Sequence, residues 1–211
     1  INRASKKHKA DLIVMGTHGA KGLNEVFIGS NASQVVRDAE IPVLTVNDGK
    51  QNTKISNIVF ATDFSEETNL VFPFIKYFAG IFGAKIHLLK IVDDSDSTKK
   101  AKKESQQFKD ANNLDGYPVQ ILHHQKSKDK GIRRFASLIN AELLALGTHG
   151  RHGLGRFFKG SVAEDMVNHA LLPVLTVNFH KKLLTKSHGE SISDKKTKHY
   201  ESDLQYQLPI I

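Results

Sequence analysis

Glycine, histidine and serine recur at a fixed spacing twice in this chain. The fuller copy reads Leu143-Leu144-Ala145-Leu146-Gly147-Thr148-His149-Gly150 and runs on to Gly160-Ser161. A short apolar run stops at glycine. A loop rich in glycine and basic residues follows, and Gly160-Ser161 opens a helical pattern. Strand, glycine loop and helix N-terminus in that order can cradle a phosphate. Glycines let backbone N–H groups approach an anion, and the helix dipole favours negative charge there. Ser161-Val162-Ala163-Glu164 has the form of a capping box, which marks where the helix begins.

The same residues also make an ordinary strand-to-helix turn, and one such loop would not separate the two readings. The chain carries a second loop. Leu12-Ile13-Val14-Met15-Gly16-Thr17-His18-Gly19 leads through Gly22 to Gly29-Ser30. Both copies place two residues between the first glycines and nine before Gly-Ser. Both end in Pro-Val-Leu-Thr-Val-Asn, at Pro42 to Asn47 and Pro173 to Asn178. The offset is 147 − 16 = 131 throughout, and about half of the aligned positions are identical, as in a domain-scale duplication.

The elements that must hold these loops alternate. Residues 1–10 read as the end of a helix, Leu12 to Met15 as a strand, Asn31 to Ala39 as a helix and Val43 to Val46 as a strand. A polar linker spans Asp48 to Lys54. Then come a strand at Ile58 to Ala61, a helix starting at Ser65-Glu66-Glu67 and closed by Gly83, and a strand at Ala84 to Val92. Pro73 predicts a kink or a late start in that helix. A polar helix over Ser97 to Asn113, a strand from Tyr117 to His124 and a helix over Asp129 to Ile139 follow. The glycine loop, a helix over Val162 to Ala170 and a strand at Val174 to Val177 complete the series. Strand and helix in strict alternation predict an open parallel five-stranded α/β sheet with helices on both faces, plus a partial copy of the same fold over residues 1–47. Right-handed crossovers bring the first strand of the complete unit beside its fourth, at a switch point where such sheets bind ligands. Thr62-Asp63 then stands opposite Gly147 to Gly150. A carboxylate there suits a ribose hydroxyl; it also suits capping the next helix with Ser65, and the residues leave both open.

The pattern Gly-x2-Gly-x9-Gly-Ser, preceded by Leu-Gly-Thr-His-Gly and followed by Pro-Val-Leu-Thr-Val, resembles the universal stress protein family in its tandem form. It matches the nucleotide-binding branch, which keeps these glycines. The resemblance covers about Ile55 to Asn178, and the first copy up to Asn47. It implies a Rossmann-like sheet of the adenine nucleotide alpha hydrolase type. It also implies an ATP or AMP site, with magnesium: Ala61, Thr62 and Asp63 lining the nucleoside, and the backbone of Ile91 meeting the adenine. Leu146, Gly147 and Gly150 would surround the ribose and phosphates, and Gly160, Ser161 and Val162 the outer phosphates. The first copy keeps Met15, Gly16, Gly19, Gly29 and Ser30, has Asn31 where the second has Val162, and lacks a counterpart of Thr62-Asp63. The resemblance further implies that Val43 to Val46 and Val174 to Val177 pair antiparallel as an intramolecular pseudo-dimer, leaving Leu12 to Met15 with a free edge and a homo-oligomer as a further expectation.

The chemistry of an enzyme is not written here. Lys159 precedes Gly160-Ser161, but not with the Gly-x4-Gly-Lys-Ser spacing of a phosphate-transfer loop. His149 and Ser161 have no placed acid to orient them. The expected role is nucleotide-dependent stress response or signalling through partners, with at most slow ATP hydrolysis. A nucleotidyl-transferring enzyme or a non-binding structural module are the alternatives.

Composition narrows the setting. There are no cysteines, so no disulfide framework. No segment approaches the ~18 apolar residues of a membrane span, so no membrane partner is expected. Net charge is +8. The lysines gather in one polar helix and in the tail beyond Asn178, without aromatic interleaving, so nucleic acid is not expected. His123-His124 lacks a third ligand, and Asp93 to Asp96 lacks oxygen-ligand spacing. The chain reads as cytoplasmic and truncated at its N-terminus, with residues 179–211 as a mostly disordered basic tail.

Overall fold

Ile58, Val59 and Phe60 are all fully enclosed, so the strand that carries them is covered on both faces. This strand is the pivot of the sheet. The computed structural model describes residues 1–16, 30–46, 54–93, 95–123, 127–148 and 172–179. By contact the chain divides into Ile1–Phe179 and His180–Ile211, and only the first contains described residues.

The described elements are α1 (Asn2–Lys7), β1 (Ile13–Gly16), α2 (Ser30–Asp38), β2 (Val43–Val46), β3 (Asn57–Ala61), α3 (Thr68–Phe82), β4 (Lys85–Val92), α4 (Ser95–Asn112), β5 (Val119–His123), α5 (Lys128–Leu138), β6 (Leu143–Thr148) and β7 (Val174–Asn178). Seven strands form one sheet in the order β1-β2-β7-β6-β3-β4-β5. The five from β3 to β7 are parallel, as the alternation of elements predicts, with β3 between β4 and β6.

The five-stranded sheet expected of the complete unit does not stop at β7, and the antiparallel pairing expected between Val43 to Val46 and Val174 to Val177 is present. β2 pairs with β7 antiparallel, so the sheet continues and is mixed. The register is Val43 with Thr176, Leu44 with Leu175 and Thr45 with Val174. Adding 131 exchanges the partners, so the contact is self-complementary. Two threonines close it: Thr45 Oγ1 donates to the Val174 carbonyl at 3.1 Å, and Thr176 Oγ1 to that of Val43 at 3.3 Å. Beyond it, β1 pairs only with β2, at the edge of the sheet. Among the described strands β1 is the last at this end of the sheet, and its Val14 side chain is 60% exposed.

Two cores sandwich the sheet. One joins Phe60, Leu88, Ala145 and Leu175 to Phe72, Ile75 and Phe78 of α3 and Phe108 of α4. The other joins Val59, Leu89, Leu144 and Leu146 to Ile132 and Phe135 of α5 and Ala32 of α2. Phe72 and Phe78 are buried in the first of these cores, and Phe72 meets Phe108 edge-on at 5.3 Å.

Pro73 neither ends α3 nor delays its start to itself. The helix begins at Thr68, three residues beyond the expected Ser65, and runs through Pro73 to Phe82. A proline near the first turns forfeits one intrahelical bond, which the buried face of α3 offsets. Gly83, at φ 61°, closes the helix as expected. The helix expected over Val162 to Ala170 and the tail lie outside the described residues.

Candidate functional site

β3 ends at Ala61, but the ladder runs one step further: the Thr62 N–H donates to the Leu89 carbonyl at 2.9 Å. The chain then turns sharply. Phe64 takes φ 58°, a conformation a bulky side chain disfavours. Its neighbours' side chains hold the turn. Thr62 Oγ1 accepts the Phe64 N–H at 2.9 Å. Asp63 Oδ1 accepts the Ser65 N–H at 2.9 Å and the Thr68 hydroxyl at 3.2 Å. Asp63 therefore braces the turn and ties it to the side chain of Thr68, the first residue of α3, while the N-cap of that helix, Glu67, has no side-chain cap bond. Both bonds use one carboxylate oxygen, and the residue is exposed.

Burial alone would raise the Asp63 carboxyl. The Ser65 backbone N–H, the Ser65 and Thr68 hydroxyls and the charge of Lys90 outweigh it, so the group sits below its ordinary range.

On the adjacent strand, Ala61 pairs in register with Leu146; beyond this pair the chain turns away at Asp63, while Gly147 and Thr148 continue β6 and pair with Val177 and Asn178 of β7. Ala61 and Ile91 pack in the same core as Leu146, which with Ile91 is nearly closed to solvent. Their side chains are engaged in packing, and only backbone is left to face outward at these positions. Gly147 has a packing role as well. The ring of Phe179 lies against it, filling the space a Cβ would need. Gly150, Gly160, Ser161 and Val162, like His149 and Lys159, lie outside the described residues.

Three contributors were not singled out from the sequence. Phe179 was read as the start of the tail, yet its N–H extends the β6–β7 ladder to the Thr148 carbonyl at 2.6 Å. Strand parity with Val177, which faces Gly147 in register, carried the signal. Asn178 donates to the carbonyls of Val36 at 3.1 Å and Ala39 at 2.5 Å, and accepts from Thr148 Oγ1. It satisfies the end of α2 from across the β2–β7 contact. Lys90 bonds the Asp63 carbonyl at 2.7 Å.

Of the residues read as weak metal candidates, two have other partners, while His124 and Asp94 lie outside the described residues. His123 Nε2 pairs with Thr98 Oγ1 at 2.8 Å, and Asp93 lies 3.7 Å from Lys128. Among the described residues no three or more His, Cys, Asp or Glu side chains gather as for a metal ion, and no helix is long and apolar enough to cross a membrane.

The strands from β3 to β7 are parallel and their order reverses between β3 and β6, which defines the class: an open, mostly parallel α/β sheet with a switch point. The sequence profile of the Universal stress protein family matches residues 1–47 and 54–178, and the chain belongs to that family. A universal stress protein of Methanocaldococcus jannaschii is 49% identical over 47 residues, which is 22% of this chain and 28% of that protein. The curated relatives are thus matched over about a third of their length or less. The crystal structure of a universal stress protein from Archaeoglobus fulgidus superposes with a TM-score of 0.68 at 22% identity, covering 84% of this chain and 65% of that one. This likeness shows the fold. Universal stress proteins have also been solved with cAMP and, from A. fulgidus, with dAMP. They cover 60% and 58% of this chain and 99% and 98% of their own, at 16% and 22% identity. Their TM-scores, 0.49 and 0.47, are too low to carry a ligand across.

Proposed function

We propose that this universal stress protein binds an adenine nucleotide, ATP or AMP, in the crevice between the 62–65 loop and the loop that begins at Gly147. Binding is its activity, and nucleotide-dependent shape, read by partners in stress response or signalling, is its output. The observation that carries the reading is the parallel register of Ala61 with Leu146. It aligns an exposed carboxylate with the start of the Gly-x2-Gly-x9-Gly-Ser pattern across a switch point, where open α/β sheets take ligands. The oxygen of Asp63 not used in capping suits a ribose hydroxyl, while backbone N–H groups of the glycine loop suit the phosphates. Magnesium would arrive with the phosphates, since no described acidic cluster would hold it alone.

The pairing of β2 with β7 is read as an intramolecular pseudo-dimer contact. A homo-oligomer would then use another edge, such as that of β1. No added catalytic motif supports transfer or dedicated hydrolysis.

One observation favours a structural module instead. The bonds of Asp63 to Ser65 and Thr68, together with Phe179 packing, give both Asp63 and Gly147 work that needs no ligand. Thermal denaturation with AMP, ADP, ATP and cAMP, with and without magnesium, separates the two. A nucleotide at a hundred times its Kd stabilises a binding protein by about 2.7 kcal/mol. An unmoved Tm at millimolar concentration favours the module.

A further inference from the structure

Three elements meet at one ammonium group. Lys90 Nζ, on β4, donates to the backbone carbonyl of Asp63 at 2.7 Å and to Glu104 Oε2 of α4 at 2.5 Å. The Lys90 side chain is 17% exposed and that of Glu104 26%. The Phe64 ring lies beneath the ammonium, its centroid 5.8 Å away. The other Glu104 oxygen faces Lys100 at 3.8 Å, so Glu104 stays charged-paired on both sides.

The carbonyl that Lys90 holds belongs to the peptide between Asp63 and Phe64. Rotation of that peptide sets ψ of Asp63 and φ of Phe64, the residue at +58°. Left alone, a bulky residue would relax out of this region. A charge-assisted bond to the carbonyl opposes that relaxation.

We propose that Lys90, braced by Glu104, is a positioning residue: it fixes the 63–64 peptide and so holds the Asp63 carboxylate at the mouth of the crevice. The inference rests on the nucleotide reading of that crevice. Lys90 lies on the α3–α4 side of the sheet with Leu88, while Ile91 faces the other side, so its role is through Asp63.

The test uses the full chain as wild type, Lys90→Met, Lys90→Arg and the double variant Lys90→Met/Glu104→Leu, which leaves no buried charge unpaired. AMP and Mg-ATP are titrated calorimetrically, and the Asp63 carboxyl is followed by NMR across pH. The expected result is an affinity about tenfold weaker in Lys90→Met and in the double variant, with recovery in Lys90→Arg. The Asp63 carboxyl also titrates higher in both variants lacking the cation. Wild-type binding with undiminished affinity in the double variant, or with no recovery in Lys90→Arg, overturns the inference and leaves the nucleotide reading intact. A wild type that binds neither nucleotide removes both.

Discussion

The ring of Phe179 lies where a side chain on residue 147 would have to go: a Cβ built on Gly147 falls 2.3 Å from its Cζ and 2.8 Å from its Cε1. A side chain at residue 147 would therefore have to displace the far end of the Phe179 ring, whatever the loop after it binds. Gly147→Ala should destabilise the chain by about 1–3 kcal/mol, because the ring must leave its place. In a Phe179→Ala background the same substitution should cost much less. A double-mutant cycle read by urea denaturation measures the coupling, and additive effects would show that the two residues do not meet.

Asn178 ties β7 to the end of α2. Asn178→Ala leaves the carbonyls of Val36 and Ala39 without this donor and removes a partner of Thr148. A loss of about 1–3 kcal/mol is expected in equilibrium unfolding. Amide exchange should quicken in α2 and β2 more than in β5. Uniform quickening would contradict a local clasp.

Asp63 should make stability depend on acidity. Its folded carboxyl lies below the unfolded value near 3.9, so the unfolded chain takes up the proton first as pH falls. The stabilisation is complete above about pH 3.9 and is lost as pH falls through the folded value. Because the residue is exposed, solvent screens the effect and it is small. Asp63→Asn retains an oxygen for the Ser65 N–H but cannot ionise. Its melting temperature should approach that of the wild type as pH falls below about 3.9. Parallel curves would refute the assignment.

His87 acts nearer neutrality. Burial, and then the charge of Lys85, keep its folded imidazole below the ordinary value, and its Nε2 meets Asn57 Oδ1 at 3.1 Å. Here too the unfolded chain protonates first. Stability is full above about pH 6.5 and declines as pH drops through that value toward the folded one. His87→Gln should flatten the decline between pH 7 and pH 5, measured by Tm.

Much of the architecture was legible because its signals are local. Apolar runs such as Ile58 to Ala61 can only be strands covered on both faces, and Gly83 can only end a helix. The antiparallel meeting of β2 and β7 came from the family resemblance; the sequence offered only two matching Pro-Val-Leu-Thr-Val-Asn segments. The details at the strand ends were less legible. Lys90 looks like any half-polar strand position until α4 brings Glu104 above it. Phe179 looks like the start of a polar tail until β7 carries it over Gly147. Both depend on contacts between elements far apart in sequence, which periodicity does not encode. For Asp63 the residues left ribose binding and capping open; the carboxylate is found bonded to Ser65 and Thr68 in the turn before α3, whose N-cap has no side-chain cap bond.

The most direct test of the central claim is a calorimetric titration of Mg-ATP and of AMP into the wild-type chain and into Gly150→Val. A branched side chain at this loop position should block close approach of phosphate while sparing the core. The account predicts saturable one-site binding to the wild type, an affinity at least about tenfold weaker in the variant and similar melting temperatures for the two free proteins. Absence of binding to the wild type, or equal affinity in the variant, would contradict it.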